Sequence, residues 1–403
     1  WIMRLESVGD PLLVQPRGYE GSGLSTRPQG QLIEVVSCDP GRTNLTFRPA
    51  LYWDPGSDVV VHRFYGTAFM QNHVRLCGLE DFRLHHNGAL GDHAVRLERT
   101  DRCWVSNVEV TNSKVAGIWL VFGYRCELFG NYVHHSAMSG SGRGYGILVQ
   151  GKSTQCKIEN NTIDETAAAI LIDDGSAGNV IAYNYSHGCK FYTPGWMIHA
   201  FGTHSSHPMF NLFEGNVGPN HFSDFIHGSS SHATLYRNRL TGWGLDEVYN
   251  AQNFAIQFQA WNRFGTFVGN VLGTTNARVF EMEGSYDFST PAIWCWGYNA
   301  GNQYDPEVKQ TAWRHMNYDT LTKTNSGIQL ATNDTTLPDS LYLKSKPSWF
   351  GALMWPPIDP RRPAYSSCLT NIPAGYRYFY GRPPSLGPVP DAPNPQVSGV
   401  SRD

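Results

Sequence analysis

Short apolar runs broken by polar corners recur along most of this chain. Ile147-Leu148-Val149-Gln150 leads to Cys156-Lys157-Ile158-Glu159-Asn160-Asn161, and Ile170-Leu171-Ile172-Asp173 leads in the same way to Val180-Ile181-Ala182-Tyr183-Asn184. A short strand, a corner, a second strand and an Asn, returning every 20 to 50 or so residues, predict a stack of repeats. One column marks the register: Asn107, Asn131, Asn161, Asn184, Asn216, Asn238, Asn270 and Asn299, at intervals of 24, 30, 23, 32, 22, 32 and 29 residues. The shortest intervals leave no room for a strand-helix-strand crossover but fit three short strands joined by corners, the coil of a parallel β-helix. The longer intervals are coils with loop insertions.

An Asn repeated at one buried corner can satisfy backbone groups there and pair its amide with the Asn above and below. Cys103, Cys126, Cys156 and Cys295 stand four or five residues before Asn107, Asn131, Asn161 and Asn299, and Cys77 suits a preceding coil. These thiols are expected stacked and reduced in the core. Residues 1–75 carry strand signals broken by turns and are expected to cap the solenoid. Residues 76–300 hold the coils. Residues 301–403 lose the repeat, become Pro-rich and suit an extended strap anchored by Trp349, Phe350, Trp355, Tyr376, Tyr378 and Phe379.

The NN, YN, GN and RN corners with their aliphatic strands resemble the right-handed parallel β-helix of the pectin-lyase-like superfamily over roughly residues 76–300. That resemblance implies an all-β solenoid and a ligand groove along the strand before the first corner, walled by loops that follow the third strand. The superfamily includes polysaccharide lyases, glycoside hydrolases, phage spikes and the family 89 carbohydrate-binding modules of gut bacteria, whose ligand class is xylan.

Side chains alternate across a strand. With Val95, Ile118, Ile147, Ile170, Ile198, Phe225, Ile256 and Phe280 facing inward, the outward set is Arg96, Glu98, Trp119, Val121, Leu148, Gln150, Leu171, Asp173, His199, Phe201, Ile226, Gln257, Gln259, Glu281 and Glu283. Loop insertions add Arg143, Tyr145, Tyr192, Trp196, Trp243 and Tyr249 to the walls. Aromatic faces beside amides and carboxylates suit a sugar chain, whose rings stack and whose hydroxyls hydrogen-bond. The expected ligand contacts are Trp119, Tyr145, Gln150, Asp173, Tyr192, Trp196, His199, Trp243, Gln257, Gln259, Glu281 and Glu283.

Asp173 and Asp174 are the catalytic candidates if the chain is an enzyme, and they resemble the DD of polygalacturonase-type hydrolases. The companion motifs of that family are reduced here to Asp164 in NNTID and His227 in IHGSSSH, with no RIK. Asp-Gly is also an ordinary turn signal. A calcium site would need several carboxylates, and only Asp173, Glu281 and Glu283 supply oxygen, with no Lys or Arg expected near them. His199, His204, His207, His227 and His232 could converge on zinc. No cofactor is expected, with calcium or zinc as the alternatives.

Composition narrows the classes further. A net charge of −3 gives no reason to propose nucleic acid or an anionic membrane, and no apolar run is long enough to span a bilayer. The chain opens in what reads as a strand, as a piece of a larger carbohydrate-active enzyme would. The expectation is carbohydrate recognition of a plant cell-wall polysaccharide, xylan-like, by a secreted bacterial protein, extracellular or periplasmic. The alternative is a glycoside hydrolase or, less favoured, a lyase acting on the same class of polymer.

Overall fold

Each repeat places apolar residues at every second strand position, so the strands must close around one interior. In the computed structural model the described residues are 2–7, 29–41, 44–54, 59–63, 73–86, 93–140, 142–189, 191, 197–205, 207–244, 251–299, 303–326 and 335–381. Three long parallel sheets run side by side, of nine, nine and ten strands, and the coils form a right-handed β-helix.

The first sheet holds His93–Glu98, Ala116–Val121, Tyr145–Gln150, Ile170–Asp173, Phe201–His204, His221–Ser223, Phe254–Phe258 and Ala292–Trp296, with Val279–Met282 at its far edge. The second runs from Gly78–Glu80 to Trp313–His315. The third runs from Arg83–His85 to Asn317–Asp319, edged by Asn325–Ser326. Val95, Leu97, Ile118, Leu120, Ile147, Val149, Ile170, Ile172, Ile256 and Phe258 all enter the core, as alternation requires. Stacking continues past residue 300, because Trp313–His315 and Asn317–Asp319 complete the last coil.

The Asn ladder comprises Asn131, Asn161, Asn184, Asn216, Asn238, Asn270 and Asn317. The side-chain amide of each donates to Oδ1 of the next at 2.8–3.0 Å. Each acceptor oxygen also receives the backbone N–H of the preceding rung. A buried amide left unsatisfied costs about 1–3 kcal/mol, so the ladder fixes the register of each coil on its neighbour.

Both expected ends of the ladder are displaced. Asn107 lies one position early: Val108 N–H, not Asn107, meets Asn131 Oδ1, at 3.0 Å. Asn107 instead begins a column of left-handed residues, Asn107, Gly130, Asn160, Tyr183, Gly215, Arg237, Gly269 and Met316, with φ between 51° and 69°. Asn tolerates that conformation well, which is why it imitates a rung there. Asn299 sits in a small antiparallel pairing with Gln303.

Cys77, Cys103, Cys126 and Cys156 share a register, and the last three are buried in the core, but Cys77, in the first coil, is exposed rather than inside it; all eight cysteines are free. Asn179 continues that register, accepting Cys156 N–H at 2.9 Å. Cys295 belongs elsewhere, in the first sheet.

The N-terminal strands form an antiparallel sheet ordered Leu45–Arg48, Gln29–Cys38, Ile2–Ser7, Val59–Arg63. Its described residues lie along the flank of several coils. Leu32 N–H donates to Thr154 Oγ1 at 2.9 Å, Tyr124 OH to Arg48 O at 3.2 Å, and Tyr52 meets Phe210 at 6.1 Å between ring centroids.

The C-terminal strap covers the outer faces of the second and third sheets. Phe350, Ile358, Ile372 and Ala374 bury Tyr183, Tyr185, Val217 and Val271, with Trp349, Trp355, Tyr378 and Phe379 packed around them. Polar ties add Tyr342 OH to Glu159 at 2.5 Å, Leu341 N–H to Glu214 at 2.9 Å, and Arg237 to Ile358 O at 2.7 Å. The strap is not wholly extended, since Pro363–Ser366 and Pro373–Tyr380 are helical. Proline at the first helical turn accounts for both starts, because its missing N–H has no partner to lose there.

Candidate functional site

Alternation in the first sheet sends two columns of side chains outward. Arg96, Trp119, Leu148, Leu171, Gly202, Phe222 and Gln257 share one register position. Glu98, Val121, Gln150, Asp173 and His204 occupy the next outward position, and Asp224 follows directly after Ser223 beside His204.

Hydrogen bonds join these residues into a row. Trp119 Nε1 donates to Gln150 Oε1 at 3.0 Å, and Gln150 Nε2 donates to Asp173 Oδ2 at 3.0 Å. Further on, His204 Nδ1 lies 2.8 Å from Asp224 Oδ2 and His199 Nε2 lies 3.1 Å from the same oxygen. The His199 ring stacks on Phe222 at 4.2 Å. Tyr145 and Trp119 flank the outward Leu148 and Leu171, giving the row an apolar margin. At its open end the Arg96 guanidinium lies 4.5 Å from the Trp119 ring and pairs with Glu98.

The two carboxyls of the row are driven in opposite directions. Burial raises Asp173, helped by the charge of Asp174 and opposed by His204. Burial would also raise Asp224, but the charge of His204 and the hydrogen bonds from His199 and His204 outweigh it and hold that carboxyl well below the usual range. Burial would lower His204; Asp224 overrides it and pushes the imidazole up to about 9. His199 is lowered, chiefly by burial. Near neutral pH the row therefore holds an imidazolium-carboxylate pair at His204 and Asp224, beside an Asp173 whose carboxyl burial makes a weaker acid than an ordinary aspartate. Environments that push two carboxyls apart in this way can supply an acid and an ionised partner from one residue type. Two strand spacings, about 9–10 Å, separate their backbones.

One family profile and several solved structures are similar to this chain. The profile of the right handed beta helix region matches residues 67–240. Among solved structures, the tailspike protein gp49 of Pseudomonas phage LKA1 is similar at 14% identity and a TM-score of 0.41, over 67% of this chain and 41% of that one. DFA-IIIase of Arthrobacter chlorophenolicus A6, solved in complex with GF2, is similar at 14% identity and a TM-score of 0.32, over 57% of this chain and 50% of that one. The Dettilon tailspike protein gp208 is similar at 13% identity and a TM-score of 0.32, over 49% of this chain and 48% of that one. The chain thus spans half or less of the length of these proteins. No curated protein sequence matches it.

The structure brings Trp119, Tyr145, Gln150 and Asp173 onto one face of the first sheet, and His199 reaches its margin from outside the strands. Asp174 does not join them. It takes a left-handed turn at φ 45°, points into the corner and pairs there with Lys152 Nζ at 3.1 Å, both side chains being buried.

Glu281 and Glu283 also leave the face. Val279–Met282 pairs with Ala292–Trp296 rather than with Phe254–Phe258, which puts Glu281 in line with the core residue Trp294. Glu281 is bound by Lys309 at 2.5 Å and by Arg314, and Glu283 by Lys309 at 2.9 Å, so basic partners do stand beside them. Phe280 accordingly packs against the core from an edge strand.

Gln257 and Gln259 are buried. Gln259 Oε1 accepts Phe225 N–H at 3.3 Å, and Gln257 Nε2 has no hydrogen-bond partner among the described residues. Trp243 is half-buried in a turn tied by Thr241, whose hydroxyl donates to Trp243 O at 2.6 Å. Tyr192, Trp196 and Tyr249 lie outside the described residues.

The remaining histidines do not converge on one point. His207 meets Ser231 at 2.8 Å, His232 stacks between Phe210 and Phe264, and His227 stands edge-on to His204. Among the described residues no three His, Cys, Asp or Glu side chains gather to hold a metal ion.

The pairing of His204 with Asp224 is what sequence reasoning missed. Ile198 and Phe225 are not strand residues; the strands are Phe201–His204 and His221–Ser223, with Phe201 in the core and Ile226 exposed. Loop insertions on both sides of these strands shift the apolar residues that alternation counts from. Counting from Asn216 and Asn238 would have provided a fixed reference, because those rungs are secured by their amides.

Proposed function

We propose that the chain acts on a polysaccharide laid along the outer face of the first sheet, as a glycoside hydrolase. Asp173 protonates the leaving oxygen, and ionised Asp224 assists the attacking water. The opposite shifts of these two carboxyls on one face carry the reading. Their backbone separation of about 9–10 Å lets the carboxyls reach the roughly 6.5–9.5 Å of an inverting pair. Trp119 and Tyr145 offer ring surface, and Gln150 offers hydrogen bonds to hydroxyls. Arg96 is already paired with Glu98, and His204 with Asp224, which favours a neutral, xylan-like polymer over a uronate. A bacterial protein working outside the cytoplasm, as one part of a larger carbohydrate-active enzyme, suits this role.

The second reading is glycan binding without cleavage, in the manner of the family 89 modules. It is favoured by the saturation of Asp224, which accepts from two imidazoles and from Ile226 N–H at 3.0 Å. Reducing-sugar release and affinity electrophoresis on xylan, pectin, mannan and β-glucan separate the two. For a hydrolase, Asp173→Asn lowers turnover by about 100-fold or more while retardation persists. Retardation without turnover in the parent chain leaves only the binding reading, and neither on any polymer overturns both.

A further inference from the structure

A second cluster of titratable side chains lies at the corner after the third sheet and takes no part in the row around Asp173. Tyr132–His134 places Val133 in the core and turns Tyr132 and His134 outward, with their rings stacked at 4.0 Å. His135 follows in a left-handed corner, φ 50°, which swings its ring edge-on to that of His134, at 81° between planes. The two Nδ1 atoms face each other at 2.7 Å. Behind each ring stands a carboxylate: Glu109 Oε1 is 3.1 Å from His134 Nε2, and Glu165 Oε2 is 3.5 Å from His135 Nε2.

Proton accounting makes this arrangement informative. A carboxylate beside Nε2 selects the tautomer that carries its proton there, which leaves Nδ1 as a lone pair. His134 is so fixed by its hydrogen bond to Glu109, and Glu165 stands within reach to draw the His135 proton to Nε2 in the same way. Without a cation, one Nδ1–H can bridge the two rings; with both protons on Nε2, two lone pairs address one space that a cation can occupy. An imidazole whose far nitrogen is held by a carboxylate is the usual form of a metal-binding histidine, because the carboxylate orients the ring and raises its basicity.

From this geometry we infer that His134 and His135 bind one borderline divalent transition-metal ion, Cu²⁺ or Zn²⁺, through their Nδ1 atoms, with Glu109 and Glu165 orienting the rings. Imidazole nitrogen suits these ions, whereas calcium and magnesium want oxygen. At Zn–N distances of about 2.0–2.1 Å, tetrahedral nitrogens stand about 3.3 Å apart, so the pair opens by about 0.6 Å on binding. His135 can supply that movement, since its side chain is 59% exposed. Two protein ligands leave the rest of the shell to water.

The test titrates the full chain, stripped by chelator, with ZnSO₄ and CuSO₄ by calorimetry at neutral pH. His135→Asn suits the left-handed corner and keeps the fold. It is expected to weaken binding at this site at least tenfold, and Glu109→Gln about tenfold, the usual size of an outer-shell effect. Electron paramagnetic resonance of the Cu²⁺ form is expected to show two coordinated nitrogens in the parent and one in His135→Asn. No uptake by the parent chain overturns the inference, as does unchanged affinity and nitrogen count in His135→Asn, which would place the ion elsewhere or leave the pair sharing a proton.

Discussion

Asp173 and Asp174 are adjacent, chemically identical and both buried, yet they belong to different parts of the molecule. Asp173 ends a strand and faces out, where Gln150 and the charge of His204 surround it. Asp174 begins a corner, and its left-handed backbone carries the carboxyl to Lys152, beneath the N-terminal sheet at Gly30. The first sits in the hydrogen-bonded row of the first sheet; the second neutralises a buried ammonium. A single turn of the backbone, not the residue type, decides which carboxylate is available for chemistry.

The strongest way to break this comparison is at the corner. Asp174→Ala leaves the Lys152 ammonium buried without its carboxylate and is expected to cost about 3–5 kcal/mol in urea unfolding. A loss below about 1 kcal/mol would show that the pair is not structural. On the outer face the expected effects are smaller and depend on pH. The folded pKa of His204, about 9, lies above its unfolded value of about 6.5, so its stabilisation is complete below pH ~6.5 and disappears as pH rises through about 9. At most about 3 kcal/mol is at stake, and His204→Gln should flatten that window in unfolding measured from pH 6 to 10. The mildest change is Trp119→Ala, which removes the ring at the open end of the row. It should weaken glycan retardation about two- to tenfold, with stability little altered.

The period of the Asn column and the apolar alternation were enough to read the solenoid, because both are local consequences of one coil stacking on the next. The ends of the column were not legible: an Asn suits a left-handed corner as well as a ladder rung, so Asn107 imitates its neighbours while Asn317 stands 47 residues beyond Asn270. Trp119, Gln150 and Asp173 could be read from long, regular strands. Lys152 could not be matched to Asp174, since a turn brings them together, and Asp224 was hidden by a three-residue strand between insertions.

Gln150, Asp173, His204 and Asp224 come from four successive coils, one residue from each. The face is thus written one letter per repeat, and each letter sits in a unit stacked on the units above and below, with the N-terminal sheet and the C-terminal strap laid along other sides. Copying a repeat would add a letter to the row, and losing one would splice its neighbours together, with the scaffold still closed. Such a face can change its chemistry by recombination of whole repeats as readily as by substitution.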